Sequence, residues 1–297
     1  MSEGFGIRSL HPSVLAAYYA GGIALGMLLF HPLVLLAGAA ASLAVNAALD
    51  GGRAWRRGAP AFVPMLLLVI ILNPLVSHRG RTVLAYLGDM PVTLESVVYG
   101  ATLAVSLLNL LTLFVSYRLV VTEQKFLYLF AGLSPKTALL AMMATGLVPR
   151  LRRRLGELML VQRTRGITVA AGPLASRVRS GMRLMQALLA WTLEDALQTA
   201  DSMQARGYGT GPRSAYPDYR FRPRDRWALA ALGAAAACAL AAWALGFGSL
   251  RIYPRLEGLR LSGGDAAALL AYAVYVLLPL VWEWRDRKAW RSWNSTK

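Results

Sequence analysis

Six stretches of this chain, residues 14–30, 32–49, 59–76, 97–117, 227–250 and 266–282, are apolar and nearly free of charge. Each has about the length a helix needs to cross a bilayer, roughly 17–25 residues. Inside hydrocarbon every backbone N–H and C=O must find its partner within the segment, and for runs of this length the helix is the solution. The expected fold class is therefore all-α, a polytopic membrane protein with about six transmembrane helices. A hydrophobic content of 56% agrees. Small residues in the first two runs, among them Gly21, Gly22, Gly26, Gly38, Ala39 and Ala40, would let neighbouring helices approach closely. The Asn73-Pro74 step should break or kink the third run near its far end.

The formal net charge is +17. On a soluble domain such an excess points to nucleic acid. Here the Lys and Arg residues flank apolar runs, the pattern that orients membrane proteins with positive charge inside. Six spans with both ends inside place 27 of the 32 basic residues in the cytoplasm and leave Arg79, Arg81, Arg251, Arg255 and Arg260 outside. The lipid bilayer, and no nucleic acid, is the expected surrounding. A basic loop carrying Arg53, Arg56 and Arg57 joins the second and third runs, and a mixed loop with Arg79, Arg81 and Asp89 joins the third and fourth. Trp282, Trp284, Trp290 and Trp293 in the basic tail suit a membrane interface. The lone Cys238 makes no disulfide framework, and His11, His31 and His78 are too far apart in sequence to argue for a metal site.

Three regions follow: N-terminal membrane helices over 1–121, a cytoplasmic segment over 122–226, and C-terminal membrane helices with the basic tail over 227–297. Residues 126–149 are apolar, but Pro135-Lys136 interrupts them. A Lys at the bilayer centre costs about 2.5–3.5 kcal/mol. The stretch is read as surface or re-entrant helices against the cytoplasmic face, with a true span as the alternative. A helix is expected from Pro149 to Arg165, Pro173 sits in the connection, and a second helix should run from about Arg177 to Arg206. On the second helix Leu184, Ala187, Leu188 and Trp191 recur near helical spacing. Both helices end alike, in Gln162-Arg163-Thr164-Arg165-Gly166 and Gln204-Ala205-Arg206-Gly207. Arg in a last turn complements the negative helix end, and Gly takes the left-handed conformation that reverses the chain. Taken alone, these are two well-capped helices.

Chemistry is conspicuously missing from the sequence. There is no Walker A pattern, zinc-protease helix, paired-Cys metal site or Ser-centred hydrolase elbow. No catalytic residue, cofactor or metal is expected. The glycines of 207–211 are not a phosphate cradle, because no Lys-Ser/Thr follows and no strand precedes them. The spans carry almost no ionisable group apart from Glu95 near an edge, whereas ion-coupled transporters usually place such groups inside. The chain has no evident energy source and looks like a membrane part that receives work from another protein.

At this point several stretches together resemble the transmembrane T component of energy-coupling factor (ECF) transporters. They are Asn73-Pro74-Leu75-Val76-Ser77-His78-Arg79-Gly80, Thr93-Leu94-Glu95-Ser96, Lys125-Phe126-Leu127-Tyr128-Leu129-Phe130, Pro149-Arg150-Leu151-Arg152-Arg153 and Ala205-Arg206-Gly207-Tyr208-Gly209, in family order over about residues 10–250. The resemblance implies a non-catalytic subunit in the cell membrane of a prokaryote. It would join two cytoplasmic ATPase subunits to a small membrane protein, the S component, that captures a vitamin or a metal ion. It also implies that Thr164-Arg165-Gly166 and Ala205-Arg206-Gly207 each dock into one ATPase. Thr164 departs from the family's Ala, and the run over 266–282 lies beyond the region of resemblance. Two other classes are a conventional ABC-type permease subunit, which would line its spans with polar substrate-binding groups, and a membrane scaffold without a transport role. Copurification with ATPase subunits separates the scaffold from the T component.

Overall fold

The computed structural model describes residues 6–77, 80, 82–87, 90–166, 173–211, 219–250 and 262–294. His78, Asp89, the tail residues Ser295 and Thr296, and the five basic residues assigned to the outer side lie outside the described residues, as do the side chains of Trp290 and Trp293. After a short 3-10 turn, Gly6–Ser9, come α1 (Pro12–Leu28), α2 (Pro32–Asp50), α3 (Arg53–Val76), β1 (Val83–Leu87), β2 (Met90–Thr93), α4 (Leu94–Val120), α5 (Glu123–Leu133), α6 (Pro135–Thr164), α7 (Leu174–Ala205), α8 (Pro223–Ala244) and α9 (Gly263–Asn294). The fold is all-α and polytopic. Helices α2, α3, α4, α8 and the first part of α9 are long and apolar enough to cross a membrane, and α1 is an apolar helix of 17 residues. Helices α5 and α6 are not among the candidate spans.

The chain divides into two compact units, Met1–Phe126 with Tyr219–Lys297, and Leu127–Asp218. In the first, α3 packs on α4, α2 on α4 and α9, α8 on α9, and α1 on α8 and α4. Its centre is built by two tyrosines of α9, Tyr272 and Tyr275, both buried. A Cβ at Gly26 or Gly38 would collide with the Tyr272 ring or hydroxyl, and one at Gly21 with Tyr275. The small residues of the first two runs thus make room for aromatic side chains arriving from the far end of the chain. Tyr275 donates to the carbonyl of Ala17 at 2.8 Å, and Tyr18 donates back to that of Val276 at 2.9 Å. Such interhelical hydrogen bonds contribute about 0.6 kcal/mol each on average in membranes, so shape carries much of the specificity.

Several boundaries depart from the sequence reading. The basic residues Arg53, Arg56 and Arg57 form the first turns of α3 rather than a loop. The turn before them is only Gly51-Gly52, both left-handed at φ 61° and 73°, and the Asp50 carboxylate accepts the Ala54 N–H at 3.1 Å. The helix α3 is not broken at Asn73-Pro74 but runs two residues past it. Proline at 74 offers no N–H to the Ile70 carbonyl. On α4, a Cβ at Gly100 would lie 3.4 Å from that carbonyl oxygen and 3.0 Å from Asn73, so the neighbouring helix packs against the defect. Val83–Leu87 and Met90–Thr93 pair as antiparallel strands within what the sequence reads as a loop, with Tyr86 opposite Pro91. The buried carboxylate of Glu95, in the first turn of α4, accepts from the Thr82 backbone N–H at 3.3 Å and from its hydroxyl, tying the strand pair to the helix. Pro149 begins no new helix, because α6 is continuous from Pro135. Finally, α9 extends beyond the expected span to Asn294.

Candidate functional site

The Leu127–Asp218 unit consists of the later part of α5 with α6 and α7. Helices α6 and α7 cross where Arg150 pairs with Asp195 at 3.0 Å and the Arg154 guanidinium lies over the Trp191 ring, 5.6 Å from its centroid. Arg154 also bridges Glu157 at 2.9 Å within α6. These contacts are partly exposed, and pairs of this kind contribute at most about 1 kcal/mol each. Their use is geometric: they fix the register in which the two helices cross.

Past these contacts each helix runs on to its Arg-Gly end. The last helical residue of α6, Thr164, lies ten residues past Arg154, and the last of α7, Ala205, lies ten past Asp195. At 1.5 Å per residue both arms are about 15 Å long. Each terminates as the repeated Arg-Gly signature demands. Arg165 and Arg206 occupy the C-cap positions, and Gly166 and Gly207 follow in the left-handed region at φ 74° and 81°. The Gly166 N–H reaches the Arg163 carbonyl at 3.0 Å, and the Gly207 N–H reaches that of Gln204 at 2.9 Å. On α7 the motif is completed by the Tyr208 N–H on Met203 at 3.0 Å, which makes a full Schellman cap.

The two triplets are not brought together; they stand on separate arms of the crossing. Both arginines are exposed, and among the described residues neither guanidinium has a hydrogen bond or ion pair within the chain. The Thr164 hydroxyl donates to the Val161 carbonyl at 2.8 Å, so it is satisfied within its own helix and leaves a small, apolar outward profile close to that of alanine.

One feature of α7 is not evident from its expected buried face. Leu184 and Leu188 are buried and Trp191 partly so, while Ala187 is exposed. A second apolar stripe made by Leu174, Val178, Met182, Met185, Leu189, Leu193 and Leu197 runs along most of the helix, with its members 58–76% exposed. The spacing of three or four residues was visible in the sequence, but two apolar stripes on one helix do not say which is covered. Arg177, Arg179, Arg183, Glu194 and Asp201 lie on the same helix, so this surface mixes oil and charge.

A sequence-family model described as CbiQ, cobalt transport protein, matches residues 12–217. The chain belongs to this family. It is the T-component family of ECF transporters. A search of curated proteins returned no match. This CbiQ-family chain is thus the multi-pass membrane component of a transporter, working with other transporter subunits. The matched region contains both Arg-Gly ends and stops before α8 and α9, although α9 supplies the tyrosines at the centre of the membrane unit.

Among the described residues no group of three or more His, Cys, Asp or Glu stands ready for a metal ion. Polar groups do occur inside the membrane unit, and their donors are bonded within it, while Asn46 and Asn109 each keep a buried side-chain oxygen without a partner among the described residues. Ser42 and Thr112 share a hydrogen bond of 2.6 Å, Asn46 donates to the Thr112 carbonyl at 2.8 Å, Tyr19 bonds Ser116 at 2.8 Å, and Asn109 donates to Tyr272.

Proposed function

We propose that this chain is the membrane-embedded coupling subunit of an ECF-type importer in a prokaryotic cell membrane. Two cytoplasmic ATPase subunits hydrolyse ATP. Their movement enters through α6 and α7 and is passed to a small membrane S component that captures the cargo. The cargo class is a vitamin or a metal ion, cobalt being the ion that the family description names. The chain itself turns over no nucleotide.

The observation that carries this reading is the pair of matched arms. Each presents one exposed arginine, free of partners within the described chain, at a rigid helix end about 15 Å from a common crossing. Guanidinium is a fixed fork of donors suited to a partner's carboxylates and carbonyls, and two equal arms suit two copies of similar subunits. Stiff helices held at a crossing transmit a rigid-body displacement without dissipating it in bending. The exposed stripe of α7 adds apolar surface for the assembled complex to cover. The permease alternative is weaker, because the buried hydroxyls and amides of the spans spend their donors within the membrane unit, mostly on backbone carbonyls.

A photo-crosslinking residue placed at 164 or at 205 tests the assignment in cells that express the ATPase subunits. Each position should capture an ATPase subunit covalently, and a crosslinker at 68, on the apolar face of α3, should not. Failure of both positions to capture an ATPase would remove the docking role from these helix ends.

A further inference from the structure

The chain passes between its two units twice, at Phe126–Leu127 and at Asp218–Tyr219. Within the first unit both passages are held by the same small element. On the outgoing side α5 runs unbroken through the boundary, and Lys125 lies in its first turn. Lys125 is buried, and its Nζ donates to the Arg8 carbonyl at 2.7 Å and to the Val120 carbonyl at 3.2 Å. It therefore ties the end of α4 and the start of α5 to the Gly6–Ser9 turn. On the returning side Arg224 donates to the Ser9 carbonyl at 2.6 Å. The carboxylate of Asp225, itself buried, accepts the His11 N–H at 3.3 Å and the Arg222 N–H at 2.8 Å. Tyr219 and Phe221 meet the His11 imidazole edge-on, with centroids 6.4 and 5.0 Å away.

The element that receives these contacts is itself fixed. Ile7 and Leu10 are buried in the core of the membrane unit. Gly6 is left-handed at φ 67°, and a Cβ there would collide with the Glu283 carboxylate of α9. Hydrogen bonds from charged donors to carbonyls are about twice as strong as neutral ones, and they fix direction where apolar packing would permit sliding.

We infer that residues 6–11 are a shared anchor within the membrane unit for both chain passages, a fixed post that holds the ends of the two connections, and that Lys125, Arg224 and Asp225 are positioning residues for coupling. The inference gives a role to the Lys125-Phe126-Leu127 stretch, which the docking ends do not use. Its transport consequence rests on the coupling reading above; its mechanical consequence does not. With the post intact, a displacement delivered to α6 and α7 reaches the membrane unit at one place. With the post released, the same displacement is absorbed at the two passages.

The test pairs Lys125→Met/Arg224→Met with a control, Tyr272→Phe, that removes a buried hydrogen-bonding group elsewhere in the membrane unit. In a Cys238→Ala background, spin labels at 57 on α3 and 156 on α6 report the distribution of distances between the units in the isolated chain. The double variant should broaden that distribution, Lys125→Met alone should broaden it less, and Tyr272→Phe should leave it unchanged. In the complex reconstituted with ATPase and S subunits, the ATPases should still copurify with the double variant. Cargo moved per ATP hydrolysed should fall about threefold or more, the scale on which residues that touch neither ligand change coupling. An unchanged distribution in Lys125→Met, or equal broadening in the control, would overturn the anchor. If ATPase subunits do not copurify with the unaltered chain, the coupling reading fails, and the distance distribution still judges the anchor.

Discussion

Helices α3 and α7 both expose most of their apolar side chains, and they do so toward different surroundings. None of the residues of α3 is buried, and after its opening arginines it carries no charge from Gly58 to Val76. Its exposed leucines, Leu67, Leu68 and Leu72 among them, are those of a helix that meets lipid along most of its surface. The exposed stripe of α7 is as continuous, but Arg177, Arg179, Arg183, Glu194 and Asp201 share the helix. A charged residue at the centre of a bilayer is expensive, so this surface is not built for the hydrocarbon interior; it fits a protein partner with both apolar and charged contacts. Exposure alone therefore does not distinguish a lipid face from a docking face; the charge between the apolar positions does.

The largest effect that could break this comparison comes from one substitution made twice. Leu68→Arg places a guanidinium on the lipid face of α3 and should cost about 2.5–3.5 kcal/mol of insertion free energy, visible as loss of membrane-integrated protein in a glycosylation or fractionation assay. Leu189→Arg on α7 should insert like the unaltered chain and instead reduce the amount of partner subunit recovered with it. Equal insertion defects at both sites would mean that α7 also faces lipid. Next in size is packing at the α9 tyrosines. Gly38→Ala drives a Cβ into the Tyr272 ring and should destabilise the membrane unit by about 1–3 kcal/mol, read as a lower unfolding midpoint in detergent. A midpoint at the wild-type value would show that α9 is not seated as described.

A smaller contrast lies within α7 itself. Gly207→Ala places a Cβ at φ 81° and should cost about 1–2 kcal/mol, fraying the arm that presents Arg206. Gly181→Ala, in mid-helix with open space around it, should gain up to about 1 kcal/mol. Circular dichroism melts of the two variants should move in opposite directions. The smallest effect concerns pH. His11 and His31 cap α1 and α2 by accepting backbone N–H bonds from Ser13 and Leu33 at 3.2 and 3.3 Å through Nδ1, which requires the neutral ring. Burial holds both pKa values below the ordinary histidine range, against an opposing pull from Asp225 on His11 and from Asp265 on His31. A histidine whose folded pKa is depressed contributes stability that is complete above its unfolded value, about 6.5, and is lost as pH falls through the window below it. Acidification from pH 7 should therefore lower the melting temperature of the unaltered chain more than that of His11→Asn, which keeps a capping oxygen that does not titrate in this range.

The spans and the helix ends were legible in the sequence because each is written locally. Twenty apolar residues in a row, or Arg followed by Gly after an amphipathic run, fix their own conformation. The continuity of α6 through Pro149 was not legible, since proline usually marks an end and only the helix on either side shows that this one is tolerated. The strand pair after α3 does carry a local signal: Val83, Tyr86, Val92 and Thr93 favour strands, and Gly88-Asp89 stands between them. The anchor at residues 6–11 had no local signal at all. Its bonds join positions 117, 214 and 215 residues apart, and neither hydropathy nor spacing carries that information. The same holds for Tyr272 and the glycines that receive it.

Arg165 and Arg206 are the proposed anchors of two ATPase subunits. Losing an interface arginine that pairs with a buried carboxylate costs about 2–5 kcal/mol, whereas losing only its favourable interaction with the helix end costs about 1 kcal/mol or less. The decisive measurement is copurification of the ATPase subunits with Arg165→Ala/Arg206→Ala. The prediction is a chain that inserts and folds normally, retains at most a weakened complex with one arginine changed, and loses both ATPases with two. Full recovery of the ATPases with the double variant, together with unchanged transport, would show that the two motifs only cap their helices and would contradict the mechanism.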